Sequence, residues 1–345
     1  MKVFRLALAA LLLSVQALAQ SGRFVTVSAV GDIMMGTNFP TDTLPPDGGK
    51  NLFRDSRTYI QAADIRFGNL EGPLFDGEKN LDGKAQGKNR YLFRTPPPYV
   101  AWLAEAGFNV LSLANNHAMD FGASGLESTK NALRQYGIQY SGKYGGEVAR
   151  FEVRGLKVAL IACDFYAGPR SLRTPENTYQ EIQSLRRDSD IVIVSVHAGA
   201  EGKEAERVKN EDEIFMGENR GNSIAFAHAA IDSGAALVLM HGPHVPRGLE
   251  VYKNKLIAYS LGNFVTGRGI NILGFAGLAP LLRVQLDENG NFVGGHLASF
   301  RQQREANATV FDASQAALNL IKDLSALDFP QSMPQFDLNS GQISP

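Results

Sequence analysis

The chain has 345 residues, 44% of them apolar and 20% charged, and its 34 basic and 35 acidic side chains leave a net charge of −1. This is the composition of a globular protein with ample core, long enough for one large domain or two ordinary ones. The even charge balance excludes the basic excess of a nucleic-acid or membrane-surface binder at whole-chain level, so no nucleic-acid partner is expected.

In chain order, residues 1–19 have the pattern of a signal peptide. Lys2 and Arg5 are basic, "LALAALLLSVQ" is an apolar run too short to span a bilayer comfortably, and "ALA" ending at Ala19 fits the small-residue cleavage rule. The expectation is export, periplasmic or extracellular, after cleavage near Ala19; the alternative is a retained anchor helix. No cysteine stands at the cleavage point, so lipid attachment there is excluded. Cys163 is the one cysteine, so no intrachain disulfide can form, and it is expected to be a small buried hydrophobe.

The rest divides into one domain over 20–329 and an unstructured tail over 330–345. Apolar, often β-branched runs bounded by turn residues predict strands at "FVTVSAV", "DIRFGN", "FNVLSLA", "ARFEV", "KVALIAC", "DIVIVSV", "ALVLM", "GLEVY", "KLIAYSL" and "LLRVQLD", with "FVGGHLASF" pairing to the last. "VRGLK" and "YKNKL" predict hairpin turns. Helical patterns fall at 52–62, 97–106, 125–136, 176–187, 223–233 and 313–324. The alternation of strand and helix predicts an α/β fold of mixed sheets layered with helices. Segments 73–90 and 198–222 are long polar loops, which in a compact domain are functional covers or disordered.

The chemistry is concentrated where apolar runs end. Asp32 follows the first strand, Asn69 and Glu71 the second, and Asn115, Asn116 and His117 the third. His197, the pair His241 and His244, and Asn263 follow three later strands. Ligands of α/β sheets bind at the C-terminal edge of parallel strands. Taken singly, Asp32 fits a turn or cap, Glu71 fits an ion pair with Arg66 or Arg94, and His197 fits a satisfied core histidine. Taken together, carboxylates, amides and histidines without thiols are the mixed nitrogen and oxygen ligand set of Zn, Mn or Fe. In that set Asn116 offers its carbonyl oxygen to a cation, with His117 beside it. His228 and His296 fit helix and strand surfaces.

The strings "AVGDIMMG", "GNLEGPL", "AGFNVLSLANNHAMDFGASGLEST", "VSVHAGAE" and "HGPHVPRGLEVYKNKLIAYSLGNFV" run in order from Phe24 to Val265. They resemble the bacterial capsule-synthesis proteins of CapA type, linked to poly-γ-glutamate, a family that in turn resembles the calcineurin-like metallophosphoesterases. The resemblance implies two mixed β-sheets packed between helices and a site for one or two divalent ions. It implies Asp32, Glu71, Asn116, His197, His241 and His244 as metal ligands, with Glu71 in the bridging position. It places His117, Asn116 and Asp32 in the catalytic group, His117 serving the leaving group. Three positions depart from the superfamily pattern: Met34 stands where it has a histidine, Ala198 where an aromatic is usual, and Met240 where a glycine is common. With Met34 there, one cation position draws on Glu71, Asn116, His197 and His241, and the other on Asp32, Glu71 and His244 alone.

Three functions compete. The first is a metal-dependent hydrolase acting on a phosphoester at the cell envelope, with Lys84, Lys88 and Arg90 steering an anionic substrate. The second is a non-catalytic component of a membrane-bound capsule synthesis or export complex that binds an anionic polymer. The third is a γ-glutamyl amide hydrolase or ligase. Retention of His117 beside the ligand set favours the first.

Overall fold

The computed structural model describes residues 22–78, 91–144, 146–202 and 204–345. Residues 1–19, expected to be a signal peptide, and Lys84, Lys88 and Arg90 lie outside the described residues. The first strands are β1 (Phe24–Ile33), β2 (Ile65–Leu70), β3 (Val110–Ser112), β4 (Gln139–Ser141), β5 (Ala149–Val153) and β6 (Leu156–Asp164). After them come β7 (Ile191–His197), β8 (Ile214–Phe215), β9 (Glu218–Asn219), β10 (Leu237–His241), β11 (Leu249–Tyr252) and β12 (Lys255–Ala258). The chain closes with β13 (Asn263–Val265), β14 (Leu278–Asp287), β15 (Phe292–Gln303), β16 (Ala308–Phe311), β17 (Gln335–Phe336) and β18 (Gln342–Ser344). The helices are α1 (Arg57–Ile60), α2 (Val100–Ala106), α3 (Gly122–Gln135), α4 (Glu176–Leu185), α5 (Ser223–Asp232) and α6 (Ala316–Asp328).

Among the described residues the strands form two large mixed sheets and a small hairpin. One sheet runs β17-β18-β15-β14-β1-β2-β3-β4, with β13 beside β1 and β16 beside β15; the other runs β11-β12-β10-β7-β6-β5. Parallel pairing joins β1, β2, β3 and β4 in the first sheet and β6, β7, β10 and β12 in the second. β7 is buried at all seven positions, "IVIVSVH", as a parallel strand covered on both faces must be. The turns after β5 and β11 place Arg154–Gly155 and Lys253–Asn254 at positive φ, the two-residue hairpin geometry that the sequence predicts.

Val27, Phe67, Leu160, Ile193, Leu239 and Leu282 interdigitate in a core between the two sheets. A second apolar layer lies between the first sheet and α1, α2 and α3, and a third between the other sheet and α4 and α5. α6 packs on β11, β14 and β15. The α/β arrangement expected from the strand–helix alternation, two mixed sheets between helices, is the one observed. Cys163 is fully buried, where burial pushes its thiol up.

Two expectations are corrected. The segment 330–345 is not unstructured: β18 pairs with β15 and β17, and Ile343 is buried against the inter-sheet core. A single buried isoleucine among polar residues is too weak a periodic signal to predict a strand. The helix expected over 52–62 is confined to Arg57–Ile60, preceded by turns. The described residues of the long loop 198–222 include the β8–β9 hairpin.

Candidate metal centre

The C-terminal ends of the parallel strands of both sheets meet at one place. Asp32 ends β1 in register with Asn69 of β2 on one side and Asn263 of β13 on the other. Its backbone N–H donates to Gly262 O at 2.9 Å. A Cβ on Gly31 would fall 1.9 Å from that oxygen, so only glycine allows the approach. His197 and His241 sit in register on adjacent parallel strands, which puts both rings on one face. The Gly242–Pro243 turn then carries His244 back in a left-handed conformation, φ +62°.

The side chains form a connected cluster. Asp32 Oδ2 is 3.0 Å from His244 Nδ1, and Oδ1 is 3.7 Å from His241 Nδ1 and accepts from Asn69 Nδ2 at 2.8 Å. His244 Nδ1 is also 3.0 Å from Asn263 Oδ1, and its Nε2 is 3.7 Å from Glu71 Oε1. His197 and His241 meet Nδ1 to Nδ1 at 3.0 Å, while His241 Nε2 lies 2.8 Å from Ser195 Oγ. Two trios result, Asp32–His197–His241 and Asp32–Glu71–His244, each with candidate ligand atoms within 4.8 Å of one another. The shared carboxylate is therefore Asp32. The sequence resemblance gave Glu71 the bridging position, shared between a set with Asn116, His197 and His241 and a set with Asp32 and His244; the second set is one of the two trios, but the carboxylate common to both trios is Asp32.

The stretch "NNH" resolves into three roles. Asn115 donates to Asn69 Oδ1 at 3.0 Å and to Leu70 O at 2.9 Å, and its own oxygen accepts from the His117 backbone at 3.0 Å. It ties β3 to β2. His117 Nδ1 is 2.8 Å from Asp120 Oδ2, an oxygen that also accepts from the Phe93 backbone at 2.8 Å. The Phe93 ring lies 4.5 Å from the His117 ring, so the imidazole is held by charge on one side and packing on another. Asn116 Oδ1 is buried with no hydrogen-bond partner.

That unpartnered oxygen belongs to a pattern. Both carboxylate oxygens of Glu71 and Nε2 of His197 are likewise buried without a hydrogen bond. An unsatisfied buried polar atom costs about 1–3 kcal/mol, so several on neighbouring strand ends must be offset by a ligand. All these atoms can present lone pairs, which suits a cation. A Cβ on Gly242 would fall 3.2 Å from His197 Nε2, so the glycine keeps the approach to that nitrogen open.

The electrostatics agree. Burial holds His197 well below the ordinary imidazole range, helped by the charges of His241 and His244. Burial, opposed by Asp32, brings His241 down to about 4. Both rings are neutral at pH 7 and offer lone pairs, as metal ligands must. Burial and the neighbouring Asp32 charge push Glu71 well above the usual carboxylate range. Burial would also raise Asp32, but the hydrogen bond and charge of His244 outweigh it and hold the carboxyl below its ordinary value. For His244, burial opposes charge while Glu71, Asp32 and Glu201 favour it, and the result is pushed up to about 10. Two carboxyl groups crowded with two neutral imidazoles, His197 and His241, and a charged His244 that would give up its proton to a bound cation fit one or two divalent ions, and the oxygen and nitrogen donors suit Mn, Zn or Fe.

Met34, which stands where the sequence resemblance implied a histidine, is buried; a Cβ on Gly269 would fall 2.1 Å from its Cε. Ser195 and Asp120 were missed by the sequence reading. A signal exists for Ser195, two residues before His197 on one strand face, but not for Asp120, which follows His117 by three within a turn. His228 lies on α5 and contacts Glu250 at 2.8 Å, away from the cluster.

These features define a two-sheet α/β protein with a histidine–carboxylate pocket at the parallel strand ends. The chain belongs to the family described as bacterial capsule synthesis protein PGA_cap, whose profile matches residues 26–268 and so contains every pocket residue named above. It is 32% identical to the capsule biosynthesis protein CapA of Bacillus anthracis, over 71% of this chain and 60% of that protein. It is 30% identical to the PGA biosynthesis protein CapA of Bacillus subtilis, over 71% of this chain and 64% of that one. The match thus spans about three fifths of these relatives' length. Among solved structures it is similar to the NAD nucleotidase of Haemophilus influenzae, with 12% identity over 89% of this chain and 68% of that one and a TM-score of 0.47.

Proposed function

We propose that this chain is an exported metal-dependent hydrolase of phosphoesters serving capsule or polyglutamate synthesis at the cell envelope. The observation that carries the reading is the set of buried, unpartnered ligand atoms on Glu71, Asn116 and His197 beside the Asp32–His241–His244 cluster. Asp32, Glu71, Asn116, His197, His241 and His244 would hold the cations. When bound, such ions polarise an ester oxygen and lower the pKa of water to about 7.

The chain's own residues supply the rest. Asp120 takes His117 Nδ1 as its hydrogen-bond partner, which leaves Nε2 to carry a proton to a departing oxygen. Ser195 fixes the His241 ring, and the Asn69–Asn115 amide pair keeps β2 and β3 in step, so that Glu71 and Asn116 follow the ends of adjacent strands. Family membership and the names of the relatives point to capsule or polyglutamate synthesis, with an anionic polymer or its precursor as substrate and a membrane-bound synthesis complex as partner. The signal-like segment before Gln20 supports export.

The test is hydrolysis of bis(p-nitrophenyl) phosphate and p-nitrophenyl phosphate by protein loaded with Mn²⁺ or Zn²⁺, alongside His117→Ala. Cation-dependent turnover that His117→Ala lacks supports the reading. Loaded protein that cleaves neither ester, while binding the anionic polymer, would favour the non-catalytic binding role.

A further inference from the structure

Just past His197 the chain continues Ala198-Gly199-Ala200-Glu201-Gly202. Its backbone is fastened down: Gly199 N donates to Arg220 O at 3.3 Å, Ala200 N to Glu213 Oε2 at 2.8 Å, and Gly202 N to Pro243 O at 3.2 Å. Gly199 and Gly202 both hold left-handed conformations, φ +91° and +109°, and a Cβ on Gly199 would fall 2.8 Å from the Arg247 guanidinium. What can move is the Glu201 side chain, which is 19% exposed.

That side chain spans two places. Oε1 accepts from Arg220 Nη1 at 2.8 Å, and Oε2 lies 3.9 Å from His244 Nε2. The Arg220 side chain is 6% exposed, its guanidinium lies over the Phe165 ring at 4.2 Å, and Nη2 is 3.2 Å from Glu218. Its Nε is buried with no acceptor. This nearly buried guanidinium is held by two carboxylates, Glu201 and Glu218, and keeps one unsatisfied N–H at the edge of a pocket of unpartnered ligand atoms. Arginine's planar fork matches phosphate geometry. Glu201 lies outside both trios, so its carboxylate extends from the pocket's edge to the arginine.

We propose that Glu201 is a placeholder for a tetrahedral oxyanion, and that Arg220 binds that oxyanion when Glu201 swings aside. This rests on the metal-centre reading and narrows it: the substrate carries a phosphate-like group held between Arg220 and the cation pocket. The Phe165 ring under the guanidinium fixes its plane, and the fastened backbone means that displacement involves one side chain only.

The experiment is calorimetric titration of orthophosphate, with glutarate as a carboxylate control, into Mn²⁺-loaded wild type, Glu201→Gln and Arg220→Gln, with bound Mn²⁺ measured in each. Wild type should bind phosphate more tightly than glutarate. Glu201→Gln should keep its Mn²⁺ and tighten phosphate binding roughly tenfold, since the competing charge-assisted contact is gone. Arg220→Gln should weaken it about 10- to 100-fold, the loss expected for hydrogen bonds to a charged group. A gain of affinity cannot arise from misfolding, so the Glu201 variant decides even if Arg220→Gln proves unstable. Unchanged or weaker phosphate binding in Glu201→Gln overturns the placeholder, loss of Mn²⁺ there makes Glu201 a ligand instead, and tighter glutarate binding overturns the tetrahedral assignment. Normal Mn²⁺ uptake with any of these results leaves the metal centre standing, whereas a wild type that takes up no cation ends both.

Discussion

Two kinds of buried ionic region occur in this molecule. Arg170 and Arg247 are completely buried, and every nitrogen of both donates a hydrogen bond. Arg170 reaches Glu181 through two nitrogens, while the third serves Ser141 Oγ, Gly142 O and Glu147 O. Arg247 forks onto Glu213 and gives Nε to Ala205 O. At the strand ends, by contrast, Glu71 and His197 are as deeply placed, Asn116 is half-buried, and all three have buried ligand atoms with no partner. The difference separates structure from site. A buried charge whose hydrogen bonds are all made has its partner within the fold, and a cluster that leaves lone pairs unmet is shaped for something added.

The comparison can be broken at several points. The largest effect should come from His117, whose ring is held by Asp120, a carboxylate outside both trios. His117→Ala should lower cation-dependent phosphoesterase turnover by about 10²–10⁴ while the protein keeps its cation, as fits loss of a general acid. Cation lost along with activity would make His117 a ligand. Next is the satisfied node. Arg247→Met strands Glu213 and loosens the loop 198–222, and urea denaturation should show a loss of about 3–5 kcal/mol. A loss below about 1 kcal/mol would mean that full satisfaction does not mark structural weight.

The pocket should respond to ligand instead. Mn²⁺ at a hundred times its Kd should stabilise wild type by about 2.7 kcal/mol, seen as a rise in Tm, and His241→Ala should abolish that rise. The smallest change is expected from Glu71→Gln in cation-free protein. Glu71 has no hydrogen bond to lose and is crowded by the Asp32 charge, so unfolding free energy should move by less than about 1 kcal/mol. A loss as large as that of Arg247→Met would erase the distinction between the two regions.

Much of this pocket is legible in the sequence because parallel strands announce themselves as continuous apolar runs, and a donor directly after such a run is conspicuous. Asp32, Glu71, Asn116, His197 and His241 could be picked out in that way, and the structure brings Asp32, Glu71 and the histidines together. Which carboxylate stands between the trios was not legible, because it depends on how two sheets face each other and not on order along the chain. Asp120 was hidden for a related reason. Its partner His117 lies three residues away on an irregular turn, where neither helix nor strand periodicity applies. The tail strand β18 was invisible because its pairing is with β15, some 46 residues earlier by its register of His296 with Gln342. Arg220 and Glu201 sat in a charged stretch whose composition resembles a solvated loop, and only the fold brings Glu201 to His244 and Arg220.

The central claim is that the unpartnered atoms at the strand ends form a cation site, and equilibrium dialysis against Mn²⁺ and Zn²⁺ with metal analysis of the retained protein tests it most directly. The account predicts at least one ion retained per wild-type chain, with uptake lost in His241→Ala and reduced in Glu71→Gln. Wild-type protein that retains no ion, or a His241→Ala variant that retains as much as wild type, would contradict it.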